Sequence, residues 1–183
     1  ADQLSKDGFS FLKSGPKLKR KARDLTHNIH FQSDRNNVAG RRAAMWIHAS
    51  VSSDIMARWR LENPMPWNGT HKPSLAIITG GQIGNLLPNS SWMEWNFADI
   101  SRRAAQIDEA TTAIRTIMLP FFALFETPAT AVETLIHYPA LWQSSLIEYA
   151  LAHVGRDAAR HAMRQYLAAN PRIHARYDEA LTY

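Results

Sequence analysis

Histidines, one carboxylate and a run of cations are the residues of this chain best placed to do chemistry. His30 and His48 lie in two segments that alternate apolar and polar residues. If those segments pair as strands, both rings reach one face, alongside Trp46. Two imidazoles so placed could bind a ligand or act as acid and base. No carboxylate is spaced to orient either ring, so a structural polar face is the plainer reading. Glu94, between Trp92 and Trp95, is set either for a site with His30 and His48 or for pairing with an Arg. His27 faces the opposite side of the strand from His30. His153 and His161, eight apart across Gly155, do not form a helical metal pair.

The cations Lys13, Lys17, Lys19, Arg20, Lys21 and Arg23 precede Asp24 with no acid among them, and Arg41-Arg42 follow. A strand so charged would meet phosphates on both faces, with affinity from counterion release. The plainer reading is a solvated edge strand, where Lys opposes sheet-to-sheet aggregation. No aromatic residues interleave this run, which argues against a stacking platform for single strands. The loop Thr79-Gly80-Gly81-Gln82-Ile83-Gly84-Asn85 is rich in glycine but leads into Leu86-Leu87-Pro88 rather than a helix, so it reads as a bulge or tight turn and not as a phosphate cradle. Ser90-Ser91 and Ser144-Ser145 have no nucleophile-elbow context. Asp108-Glu109, Glu133 and Asp178-Glu179 read as solvated helix faces. So do Arg156, Arg160 and Arg164, spaced by four, and Arg172 and Arg176; a docking surface for an acidic partner is the sharper alternative.

The elements that must carry these residues read as a sheet followed by helices. A short helix near Asp2 leads to a strand at Phe9–Leu12. Gly15-Pro16 turns the chain into one long strand, Lys17–Gln32, which pairs back on it as a hairpin. Within it Leu25, His27, Ile29 and Phe31 share a face. A polar turn over 33–40 leads to a strand at Arg42–Ser52, and Ser53 or Asp54 caps a helix at Ile55–Leu61. The Pro-rich 63–73 is a loop. Leu75–Thr79 is a buried strand broken by Gly80-Gly81, and Ser91–Phe97 is another strand. From Asp99 a helix is expected, with an apolar stripe of Ile100, Ile107, Ile114 and Phe121, kinked or ended by Pro120. Further helices follow: one from Pro128, one over Leu141–Val154 capped at Gly155, one over Arg156–Ala169, and a last one from Asn170 to Leu181.

Composition sets outer bounds. With 183 residues, 45% hydrophobic and 20% charged, the chain can bury a core without staples. Having no cysteine excludes disulfides and thiolate chemistry. No run of about 18 apolar residues appears, so no membrane span is expected. No leader is legible at the start, and a cytoplasmic location is expected, with processing ahead of Ala1 left open. Net charge is uneven: residues 1–73 hold 13 Lys or Arg against 6 acids, net +7, while 74–183 hold 8 against 10, net −2. The basic half can attract nucleic acid, anionic lipid or an acidic protein.

The succession Asn28-Ile29-His30-Phe31-Gln32-Ser33-Asp34, then Ile47-His48-Ala49-Ser50-Val51, then Gln82-Ile83-Gly84-Asn85-Leu86-Leu87 and Trp92-Met93-Glu94-Trp95, resembles small bacterial proteins grouped as a domain of unknown function. The likeness spans roughly residues 8–125. Gln82 stands where those proteins carry Arg, and Met93 splits their Trp pair. The resemblance implies an α+β fold and transfers no catalytic residue. By analogy with neighbours of bacterial toxins it implies a binding role.

The expected architecture is α+β: an antiparallel sheet of about five strands packed by a long helix over 99–125, within residues 1–126, followed by a C-terminal helical subdomain at 127–183. The expected function is non-enzymatic protein binding, of a toxin-neutralising or other interaction type, with an acidic partner. The expected binding residues are Lys17, Lys19, Lys21, Arg23, Arg41, Arg42, His30, Trp46, His48, Trp92 and Glu94. Nucleic-acid binding through the basic sheet half, and an enzyme built on His30, His48 and Glu94, are the alternatives. No cofactor or metal is expected.

Overall fold

The structure is a computed structural model that describes residues 2–13, 15–63, 76–138, 140–141 and 143–169. The expected last helix with Arg172 and Arg176, most of the Pro-rich loop, and Leu75 lie outside the described residues.

The fold is α+β, as the change of hydrophobic period predicts. Six antiparallel strands form one sheet: β1 (Ser10–Leu12), β2 (Lys17–Ala22), β3 (Leu25–Ser33), β4 (Ala44–Ser53), β5 (Ile77–Gln82) and β6 (Trp95–Asn96). Their order is β1-β2-β3-β4-β5, and β6 shares with β5 the edge of β4 away from β3. The helices are α1 (Asp2–Ser5), α2 (Asp54–Glu62), α3 (Arg103–Ala113), α4 (Leu119–Leu124), α5 (Pro128–Leu135), α6 (Gln143–His153) and α7 (Arg156–Ala169).

The long strand expected over Lys17–Gln32 is instead the hairpin β2–β3. It turns on Arg23-Asp24, with Ala22 opposite Leu25 and Arg23 at φ 56°. Neither turn residue is Gly or Asn, so the alternation runs through the turn without a break in composition. The expected interruption at Gly80-Gly81 is also replaced. β5 continues through both glycines, and its irregularity falls earlier, where Val51 pairs with Thr79 and Ser52 with Ile77, leaving Ile78 extra. Gly80 is required because a Cβ there would lie 2.4 Å from the Ala49 carbonyl oxygen.

The strand expected over Ser91–Phe97 contracts to Trp95–Asn96. Ahead of it, the Gln82 side chain captures the backbone of Met93, and Ser91 N–H donates to Gly84 O, so the segment is held off the ladder.

The expected long helix runs from Ile100 to Leu124 but is not uniform. It opens with a 3₁₀ turn, continues as α3, widens to a π turn over Ile114–Met118, and resumes as α4. Pro120 neither ends nor breaks it. The Leu119 N–H reaches back five residues to Ile114 O, and the wider turn seats Pro120 in the first turn of α4, where a missing N–H costs least. The stripe also fails in its first half: Ile100 and Ile107 are 76% and 49% exposed, whereas Ile114, Met118, Phe121, Phe122 and Phe125 are buried.

The core is one cluster, running from Leu4 on α1 to Leu167 on α7 and taking in residues on both sides of the 126/127 boundary. The helices meet the sheet through one parity of its strands. His27 of β3 stacks on Phe122, Ser53 at the end of β4 meets His153 of α6, and Gly81 of β5 lies under Leu141. The other parity forms the opposite face and carries the residues of interest.

Candidate binding face of the sheet

Antiparallel register builds this face in rows, because directly opposed residues point the same way. Lys17 of β2 faces His30 of β3, which faces His48 of β4, which faces Gln82 of β5. The next row is Lys19, Asn28, Ser50 and Gly80, and the next Lys21, Thr26 and Ser52. Gln32 and Trp46 form the row on the other side of the histidines. Lys17, Lys19 and Lys21 thus make a column down one side. Lys21 reaches Asp54 at the start of α2, leaving Lys17 and Lys19 without an ion-pair partner among the described residues.

The His30 and His48 rings are 6.4 Å apart between centroids, tilted at 45°. Burial, reinforced by the neighbouring His30, pushes His48 below the ordinary histidine range. Its Nε2 is shielded from water and, among the described residues, has no hydrogen-bond partner. Gln82 cannot supply one, since its amide is committed to Met93 and to the Gly84 N–H.

Beyond the histidine row the face ends in an aromatic corner. Trp46 and Trp92 meet edge to face at 5.1 Å, and Trp92 is 56% exposed. The corner is held by a chain of polar contacts. Trp46 Nε1 donates to Glu94 Oε2 at 3.3 Å, Arg42 Nη2 donates to the same oxygen at 3.0 Å and to Asp34 Oδ2 at 2.9 Å, and Asp34 Oδ1 accepts from the Asn36 N–H. That backbone bond, followed by the Arg42 guanidinium, holds the Asp34 carboxyl below the usual range. Asp34, buried beside an exposed Arg, was missed by sequence reasoning. Its Asx turn in the polar segment before β4 was the available signal.

Of the residues expected to bind, Lys17, Lys19, Lys21, His30, Trp46 and His48 fall on this face, and Arg42, Trp92 and Glu94 build its corner. Arg23 lies in the β2–β3 turn. Arg41 lies elsewhere, in a cleft with Asn96 and Arg102.

The proposed His30–His48–Glu94 constellation does not assemble through hydrogen bonds. Among the described residues Glu94 bonds to Arg42 and Trp46 and to neither imidazole. A second cluster, not anticipated from sequence, invites comparison with a nucleophilic site. Ser53 Oγ lies 2.8 Å from His153 Nε2 and 3.0 Å from Asp24 Oδ2, at a strand-to-helix junction. The hydroxyl has one proton to give and two lone pairs. The proton goes to the Asp24 carboxylate, and one lone pair accepts the Met56 N–H as the cap of α2. His153 Nε2 must therefore be the donor to Ser53. A histidine that donates to the hydroxyl cannot take its proton, and Ser53 is 2% exposed. The cluster fastens the ends of β3 and β4 to α2 and α6. Burial keeps His153 below its ordinary range, opposed by Asp24. His153 was unreadable as a partner because Ser53 is a hundred residues away.

Other sequence candidates remain solvated. Arg156, Arg160 and Arg164 are exposed on α7, with Asp157 beside Arg160 at 3.6 Å. Among the described residues no group of three or more His, Cys, Asp or Glu could hold a metal ion, and no helix is long and apolar enough to cross a membrane. No family model, curated protein or solved structure matches the chain, so the reading of this face rests on its own residues.

Proposed function

We propose that this is a non-enzymatic binding protein whose Lys17–Lys19 edge and Trp92 corner, on the sheet face away from the helices, receive an acidic protein partner. The observation that carries the reading is the combination on one face of the lysine column with an exposed, pre-set tryptophan. Lys17 and Lys19 supply attraction and orientation during encounter. Trp92 supplies an anchor of the kind that dominates interfaces, and the Asp34–Arg42–Glu94–Trp46 chain fixes the ring it leans on, so little side-chain freedom is lost on docking.

Two features favour protein over nucleic acid. The carboxylates of Asp34 and Glu94 sit at the aromatic end, where a stacked base would bring its phosphates. The lysine column carries no aromatic residue of its own. The resemblance to small bacterial proteins adds a more specific form of the reading, in which the partner is a toxin to be neutralised.

The test is affinity capture from the source cell with the wild-type chain and with a Lys17→Glu, Lys19→Glu, Trp92→Ala variant of unchanged melting temperature. The expected result is an acidic protein retained by the first and lost from the second. Retention by both forms, or retention of nucleic acid that salt removes, would overturn the proposal.

A further inference from the structure

Away from the open face, a cleft of about 320 Å³ lies between the turn before β4 and the start of the long helix. Gly40 and Arg41 line it from the turn, Asn96 and Ala98 from β6 and the segment after it, and Asp99, Arg102 and Gln106 from the start of the long helix. Arg41 and Arg102 come from segments sixty residues apart, and both are exposed. Among the described residues neither guanidinium is held by a hydrogen bond or an ion pair. Arg20, Arg42, Arg60, Arg103 and Arg115 have engaged side chains, and what distinguishes Arg41 and Arg102 from the other exposed arginines is that they line one cleft. Asn96 adds a third donor. Its Oδ1 accepts from the Ala43 and Ala98 N–H groups, which fixes the amide, and among the described residues its exposed Nδ2 has no acceptor. The one acid in the cleft, Asp99, caps the helix, its Oδ1 accepting from both the N–H and the hydroxyl of Ser101, and its charge also acts on Arg102, so the two guanidiniums leave the cleft with one net positive charge.

We propose that this cleft binds the phosphate group of a small phosphate monoester, with Arg41, Arg102 and Asn96 as its donors. Guanidinium forks bind oxyanions bidentately, so two of them with an amide N–H present more donors than the two oxygens of a carboxylate accept comfortably. The three terminal oxygens of a phosphoryl group can take them all. The volume lies at the lower end for small-molecule sites, enough for the phosphate and a short organic group. The donors belong to a rigid frame on one side, because the Asn96 amide also closes the β4–β6 pairing. This site is separate from the open face and does not depend on the function proposed for it.

The test is titration of the full chain with inorganic phosphate and with glycerol 3-phosphate, followed by NMR at the Arg side-chain Nε–H and Asn Nδ2 resonances. Acetate serves as the carboxylate control. Saturable shifts confined to Arg41, Arg102 and Asn96 are expected, stronger for the phosphates than for acetate. Arg41→Gln and Arg102→Gln should each weaken binding about tenfold, the scale of one charge-assisted contact. Asn96→Asp keeps the oxygen that holds Ala43 and Ala98 but replaces the donor with a charge, and should abolish binding while the backbone spectrum stays unchanged. Arg58→Gln, on the exposed side of α2, should change nothing. Absence of shifts at the three residues, equal response to acetate, or equal weakening by Arg58→Gln would overturn the proposal.

Discussion

Lowering the pH from 7.5 to 5 should destabilise this protein largely through one ring. His27 is 2% exposed and stacks 4.6 Å from Phe122. Its Nδ1 faces the Arg20 guanidinium, with Nε at 3.3 Å and Nη2 at 3.1 Å, so Nδ1 must be the acceptor and Nε2 carries the proton. A second proton would remove the lone pair that Arg20 uses and place a cation beside a cation in an apolar setting. Burial first, and Arg20 second, hold the ring down to about 4 from an ordinary 6.5. The sign follows. Above pH 6.5 folded and unfolded chains are both neutral at this position. As pH falls through 6.5 the unfolded chain binds a proton that the folded one refuses, and stability is lost until about pH 4. The whole window is worth about 3 kcal/mol, and about 2 kcal/mol of it is gone by pH 5. His48 and His153 are shifted in the same direction and act in the same range, so the ring must be isolated by a variant. His27→Gln keeps an acceptor for Arg20 and does not titrate. Urea unfolding of both forms at pH 7.5 and pH 5 should show the wild type losing about 2 kcal/mol more than the variant. Parallel pH dependences, or a native His27 resonance titrating near 6.5, would show that His27 is not the source of the acid sensitivity.

Three further substitutions test other joints of the fold. Ser53→Ala removes the cap of α2 and strands His153 and Asp24, so chemical denaturation should show a loss of about 2 kcal/mol, more than a cap alone provides. Gly84→Ala would drive a Cβ to 1.5 Å from the Ser91 carbonyl oxygen. It should therefore melt well below the wild type, by about 3 kcal/mol or more in unfolding free energy, with the Trp95 fluorescence environment altered. Glu148→Gln uncouples a buried ion pair with Arg60 that joins α6 to α2, and a cost of about 3 kcal/mol is expected in the same assay.

The parts of the fold legible in sequence are those where a local pattern and a tertiary need coincide. β4 alternates because one face packs into the core and the other is only partly covered, whereas β3 is buried on both faces from Leu25 to Ile29, and Ser53 reads as a cap because it is one. The parts that were not legible depend on partners far along the chain. Gln82 decides where β6 begins by binding Met93, and a π turn carries the long helix past Pro120. Arg23 turns the chain in a left-handed conformation that its residue type does not announce. The same division holds for the face. His30, Trp46 and His48 could be placed together once the two segments were paired, but Lys17 and Lys19 could not, because a single strand over Lys17–Gln32 puts them on the face opposite His30 and only the β2–β3 hairpin brings them to it. The chain through Asp34 that sets Trp46, and the separation of Arg41 from Arg42 into another cleft, required coordinates.

Hydroxyl-radical footprinting of the complex with the captured partner tests the central claim most directly, because it reads which face is covered. Protection of Trp92, Trp46 and the Lys17–Lys21 strand is expected, with α7 and the exposed side of α3 as reactive as in the free chain. Protection of those helices with Trp92 still reactive would contradict that claim.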